Sequence, residues 1–144
     1  MLKPSVSYAT AYESNMRIYC SGPITNIPDL NRPAFDAAEK RLTAQGHFVI
    51  NPHRISELFG TEEELADSFK IFYAIEGKDN YILKEELDRR ASLARSVMDA
   101  DLAAVRSCDA IYLLRGWETS RGARKELAEA LAHGLTVLQE GGEA

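Results

Sequence analysis

Only two cysteines, one tryptophan and three histidines occur in the 144 residues of this chain. Cys20 and Cys108 sit beside or within apolar stretches, so reduced, core-type thiols are expected and a disulfide framework is not. The histidines are isolated and neither cysteine has a partner nearby, which leaves no metal-ligand spacing and no expected metal. No apolar run approaches the ~20 residues of a membrane-spanning helix. Positive charge is in deficit, with 17 Lys and Arg against 22 Asp and Glu and a net charge of −5. A binder of polymeric nucleic acid needs a basic stripe that is not here, whereas a small anion needs only a few local donors. Neither Gly-x-Gly-x-x-Gly nor Gly-x-x-x-x-Gly-Lys-Ser/Thr occurs, so the dinucleotide and nucleoside-triphosphate motifs are missing and no cofactor is expected. Repeats and low-complexity segments are also absent.

What is present reads as one domain with an appendage. Residues 1–15 lack periodicity and are rich in Ser, Tyr and Ala, which predicts a flexible N-terminal extension ahead of a single domain over 16–144. Met16 is an alternative start, and without a signal peptide the expected location is cytoplasmic. Arg17 to Ser21 is a short apolar strand broken by Gly22-Pro23. Asn31 is the expected cap of a helix with Pro33 in its first turn, a stripe at Phe35, Ala38, Leu42 and Ala44, and an end at Gly46. His47 to Asn51 is a second strand, stopped by Pro52.

The middle, residues 57–97, reads as an insertion of exposed helices suited to a lid or partner surface. Thr61-Glu-Glu-Glu is a capping box opening a helix to about Phe72. Gly77-Lys-Asp-Asn is a turn, and Lys84 to Arg95 is a charged helical run. A separate helical stretch, Met98 to Ser107, then feeds a buried strand from Ala110 to Leu114. A helix from Ser120 to Gly134 and a final strand at Leu135 to Leu138 complete the pattern. This alternation predicts an α/β fold with a doubly wound, mostly parallel sheet of four or five strands, Rossmann- or flavodoxin-like.

In such sheets ligands meet the chain where strands end and helices begin. The first strand delivers Tyr19, Ser21 and the loop Gly22, Pro23, Ile24 and Thr25; the second delivers Asn51 and His53. Asp101 falls in the region before the third strand. The turn after that strand delivers Trp117, Glu118 and Ser120, with Glu126 about two turns into the helix. A serine at a helix start can meet an anion together with the free N–H groups of Arg121 and Gly122. The three histidines, His47, His53 and His133, read as surface or strand-edge residues without a role.

Ile18-Tyr-Cys-Ser-Gly-Pro-Ile-Thr-Asn, Asn51-Pro, Asp101-Leu-Ala-Ala-Val-Arg-Ser-Cys-Asp and Gly116-Trp-Glu-Thr-Ser-Arg-Gly-Ala-Arg-Lys-Glu together resemble the nucleoside 2-deoxyribosyltransferase-like superfamily. The nearest likeness is to its small phage- or prophage-type branch of unknown function. The resemblance runs from Met16 to Leu138 and matches poorly over 57–97. It implies a glutamate acting at the anomeric carbon (Glu126), an aspartate that contacts the sugar and assists base departure (Asp101), and a tyrosine that orients the glutamate (Tyr19). Ser120 stands where nucleoside transferases carry an acidic residue and 5′-monophosphate hydrolases carry serine, which favours a nucleotide, since a carboxylate there would repel a phosphate dianion. Thr25 departs from the arginine of some monophosphate hydrolases, and Arg121 or Arg124 is the candidate replacement.

The expectation is therefore cleavage of the N-glycosidic bond of a nucleoside 5′-monophosphate. Glu126, Asp101 and Tyr19 form the catalytic set, and Ser21, Gly22, Pro23, Thr25, Trp117, Ser120, Arg121 and Gly122 form the substrate seat. The partner is a small-molecule nucleotide or nucleoside, not polymeric nucleic acid or membrane, and the resemblance implies a homodimer. Deoxyribosyl transfer and non-catalytic nucleotide sensing are the alternatives. A phosphoribohydrolase of the lysine-decarboxylase-like type fits less well, because Gly116 to Gly122 lacks that motif's glycine density.

Overall fold

The computed structural model describes residues 15–75 and 81–141; the expected extension over 1–14 and the turn at 77–80 lie outside these. Four strands form one sheet in the order β2-β1-β3-β4, every neighbouring pair parallel. They are β1 Arg17–Ser21, β2 Phe48–Ile50, β3 Ala110–Leu113 and β4 Thr136–Gln139. The central pair sets Tyr19 opposite Ile111 and Ser21 opposite Leu113. Both central strands are buried on their two faces, as strands covered by crossover helices must be.

Helix α1, Arg32–Ala44, covers one face. Its Phe35, Ala38 and Leu42 pack on Ile18, Cys20, Ala110, Tyr112 and Leu138. The other face carries Tyr19, Ile111 and Leu113 against Val105, Cys108 and Ala130, from the two long helices that follow β2 and β3. This alternation of faces makes the sheet doubly wound, as the strand and helix pattern predicts. Cys20 and Cys108 are free and buried, one in each core layer.

Two details of α1 differ from expectation. Ala44 is exposed rather than part of the buried stripe. Asn31 precedes the helix without a side-chain cap bond, because Asp29, Leu30 and Asn31 all take left-handed backbone angles (φ 57°, 53° and 58°). The Asn31 amide instead donates to the Pro23 carbonyl at 2.8 Å, tying the entry of α1 to the loop after β1.

The middle segment forms α2 Pro52–Ser56, α3 Glu62–Ile75 and α4 Tyr81–Arg90, followed by α5 Ser92–Arg106. The capping box forms as expected: Glu64 N–H donates to Thr61 Oγ1 at 3.1 Å, and Thr61 N–H donates to the Glu64 carboxylate at 2.9 Å. These helices stay out of the sheet, yet they are not simply exposed. Ile71 and Ile75 pack on Ala91 in a cluster of their own, and the buried Ser68 hydroxyl donates to Arg90 O and accepts from Ala94 N–H. Nor does a new helix begin at Met98: α5 runs unbroken from Ser92, so its inner face reaches the sheet at Val105. The last helix, α6 Arg121–Ala132, is capped by Ser120, whose Oγ accepts from Ala123 N–H at 3.1 Å.

Candidate active site

β1 delivers its side chains alternately to the two faces, so Tyr19 and Ser21, two residues apart, point the same way. That face is the one covered by α5 and α6. Glu126, on the inner side of α6, lies 6 % exposed between them. The Tyr19 hydroxyl donates to Glu126 Oε2 at 2.9 Å, and the Ser21 hydroxyl donates to Oε1 at 2.6 Å. Each carboxylate oxygen thus has its own donor from one strand, which fixes the plane of the group.

Asp101 is the second carboxyl of the site, also 6 % exposed. It is not at a strand end, as the sequence suggests, but in the third turn of α5. Its Oδ1 is fully buried with no hydrogen-bond partner. Burial pushes the Asp101 carboxyl up to about 9, and the adjacent Glu126 charge adds to the rise. Burial likewise raises Glu126, to about 7, against the Ser21 and Tyr19 hydrogen bonds, which lower it. The Tyr19 phenol is pushed well above 10 by its burial, then by Glu126 and Asp101. Two carboxyls this close in a dry site cannot both ionise freely, so the pair holds one proton at neutral pH. Glu126, with two donors, is the better-stabilised anion; Asp101, with an oxygen lacking any donor, is the better holder of the proton.

One turn towards the N-terminus of α6 from Glu126 stands Gly122, and one turn before Asp101 on α5 stands Met98. A Cβ placed on Gly122 would meet Met98 Cε at 3.9 Å, Ser120 Oγ at 3.9 Å and the Tyr73 hydroxyl at 3.3 Å. The two helices therefore run side by side, with Met98 beside Gly122 and Asp101 beside Glu126 one turn further on. Ser120 and the first N–H groups of α6 lie at one end of this ladder and the carboxyl pair at the other.

The remaining substrate-seat residues divide in two. Gly22 and Pro23 are buried, and Gly22 has a structural reason: a Cβ there would lie 2.8 Å from Leu114 Cβ. Pro23 packs near Gly116, which holds φ 88° in the turn after β3, so the loops following β1 and β3 meet. Trp117 is half-buried against the core face that contains Tyr19. Thr25 is exposed. The Arg121 guanidinium donates to the Tyr73 carbonyl at 3.1 Å and lies over the Tyr73 ring at 5.3 Å, while Arg124 donates to the Glu118 carbonyl at 2.6 Å.

Two histidines are not where the sequence suggests. His47 and His53 are buried, at 5 % and 3 % exposure, and each has an Nε2 without a partner. His53 packs edge-on against Phe35, and Asn51 accepts from its backbone N–H. Burial lowers both imidazoles, with Arg32 adding to the effect on His53. His133 is exposed, as expected. Tyr73 was not singled out in the sequence, and nothing around it in the chain signals a site. Ser21 as a partner of Glu126 was legible: a strand residue two positions from Tyr19 shares its face. Among the described residues no group of three or more His, Cys, Asp or Glu could hold a metal, and no helix is long and apolar enough to cross a membrane.

Fold and site together define a doubly wound α/β protein with a buried carboxyl pair on the helix-covered face below the carboxyl edge of its central strands. Family matching gives the particular assignment. Residues 16–86 and 78–139 match one family model, and the chain belongs to that family, described as a domain of unknown function (DUF4406). No curated protein matches the chain.

Proposed function

We propose that the protein hydrolyses the N-glycosidic bond of a nucleoside 5′-monophosphate, releasing the base and a pentose 5-phosphate. The observation that carries this reading is the buried pair itself, one carboxylate fixed by two hydroxyls and a second carboxyl that keeps its proton. Breaking a glycosidic bond needs both forms at once. An anion must face the positive charge that grows on the sugar, and an acid must protonate the departing base. Glu126 supplies the first, as nucleophile or as electrostatic support. Asp101 supplies the second, and its raised proton affinity keeps it charged with a proton at neutral pH. Tyr19 and Ser21 hold Glu126 in place, so little reorganisation is left for the transition state.

The helical ladder gives the substrate its direction. With the anomeric carbon at Glu126, one turn of helix, about 5.4 Å, reaches Gly122 and Ser120. That is close to the reach of a pentose from C1′ to its 5′ oxygen, so a 5′-phosphate falls at the N-terminus of α6. Free N–H groups and the helix dipole favour an anion there. Trp117 is placed to wall the base side. Two buried, unpaired thiols and a net negative charge support a cytoplasmic enzyme acting on a small nucleotide. Homodimerisation is part of the same proposal and rests on the superfamily resemblance.

The test is incubation with a panel of ribo- and deoxyribonucleoside 5′-monophosphates and free nucleosides, with released base read by chromatography. Base release by the native protein and none by Glu126→Gln is the expected result. If no member of the panel releases base, the reading fails.

A further inference from the structure

The anion end of the site is completed from an element with no counterpart in the motifs, helix α3. Tyr73 lies near its C-terminus, half-buried, with its ring held on three sides. Phe72 meets it edge-on at 5.1 Å between centroids, Phe69 lies at 5.9 Å, and the Arg121 guanidinium covers the ring at 5.3 Å. Arg121 also donates to the Tyr73 carbonyl, so the first residue of α6 clamps both backbone and ring of Tyr73. The consequence is a directed phenol. Its hydroxyl lies 3.3 Å from where a Gly122 Cβ would project, on the side of α6 that also carries Ser120 Oγ.

A glycine at 122 leaves open the space these two hydroxyls border. One helical turn along, that space leads to the unpartnered, buried Asp101 Oδ1, a group built to meet something not supplied by the chain. We propose that Tyr73 is the specificity-determining residue for the 5′ end of the ligand, its phenol donating to a terminal phosphate oxygen alongside Ser120 and the α6 N–H groups. This rests on the nucleotide reading above and adds its selectivity. Thr25 is exposed and the Arg121 and Arg124 side chains are engaged with carbonyls, so a neutral hydroxyl from α3 takes the place of an arginine in this seat. The clamp matters because a ring already ordered loses little freedom when the ligand arrives. It also gives the middle segment a role as the wall of the site.

Tyr73→Phe keeps the ring, its stacking and the Arg121 clamp and removes only the donor. The first readout needs no catalysis: inorganic phosphate is titrated against native protein and variant, with melting temperature as the signal. The phosphate Kd should rise about tenfold in the variant, the equivalent of one charge-assisted hydrogen bond. With the best substrate of the panel, KM should rise by a similar factor for the nucleotide, with kcat within about twofold, and change little for the free nucleoside.

Equal phosphate responses in the two proteins, or none in the native protein, would overturn the assignment. So would a KM rise shared equally by nucleotide and nucleoside, which marks a packing defect. A phosphate shift that depends on the Tyr73 hydroxyl in a protein that releases no base from any nucleotide upholds the seat and sinks the glycosidase reading, so the two ideas fail separately.

Discussion

Replacing Asp101 with asparagine should flatten the pH dependence of stability. An aspartate in an unfolded chain titrates near 3.9, whereas burial and the Glu126 charge push Asp101 up to about 9. A carboxyl with a raised native pKa binds its proton more tightly folded than unfolded. Its stability contribution is therefore present in full below the unfolded pKa and is lost as pH rises towards the native value. One retained proton corresponds to about 1.4 kcal/mol per pH unit, or about 4 kcal/mol between roughly pH 4 and pH 7. Asparagine has the same shape and no proton to lose, so the variant escapes this decline. Urea unfolding of both proteins, followed by circular dichroism from pH 4 to pH 8, gives the two stability curves. The variant should match the native protein at the acid end and exceed it increasingly, by up to about 4 kcal/mol at pH 7. Parallel curves would refute the reasoning, because they would mean that no proton is held by this pair.

Tyr19→Phe removes one of the two donors that hold down the Glu126 pKa. The acid limb of the pH–rate profile should move up by about one unit, the worth of one hydrogen bond to a charged group; an unmoved limb would show that Glu126 ionisation does not govern the rate. Gly22→Ala brings a Cβ within 2.8 Å of Leu114 Cβ. Unfolding experiments should show a loss of about 1–3 kcal/mol from this overpacking, and an unchanged midpoint would contradict the close approach of the loop to β3.

Much of this layout could be read before the structure, and the exceptions have physical causes. Short apolar strands ended by Gly22-Pro23 and Pro52 announce themselves locally, as does the cap at Ser120, because each is set by neighbours in sequence. The period of two on β1 likewise places Tyr19 and Ser21 together. Asp101 was misplaced because the charged residues before Met98 hide the continuity of α5, whose inward face appears only through Ala94, Val97, Met98 and Asp101. Asn31 carries a good capping side chain, but three successive left-handed residues turn it towards Pro23, a tertiary contact no local pattern announces. His47 and His53 are buried by α1 and the loops around it, so their surroundings come from distant segments. Tyr73 and Arg121 are 48 positions apart, and their contact depends on how α3 docks.

The central claim is that the Glu126 carboxylate acts in the transition state and not merely in binding. Its most direct test is single-turnover base release by native protein and Glu126→Gln on the best nucleotide, with the Kd of each measured alongside. The account predicts a fall in rate of at least about 10³-fold with Kd within a few-fold, since amide and carboxylate differ little in shape but only the anion faces the growing positive charge. A glutamine variant that turns over at close to the native rate, or one whose loss lies wholly in binding, would contradict it.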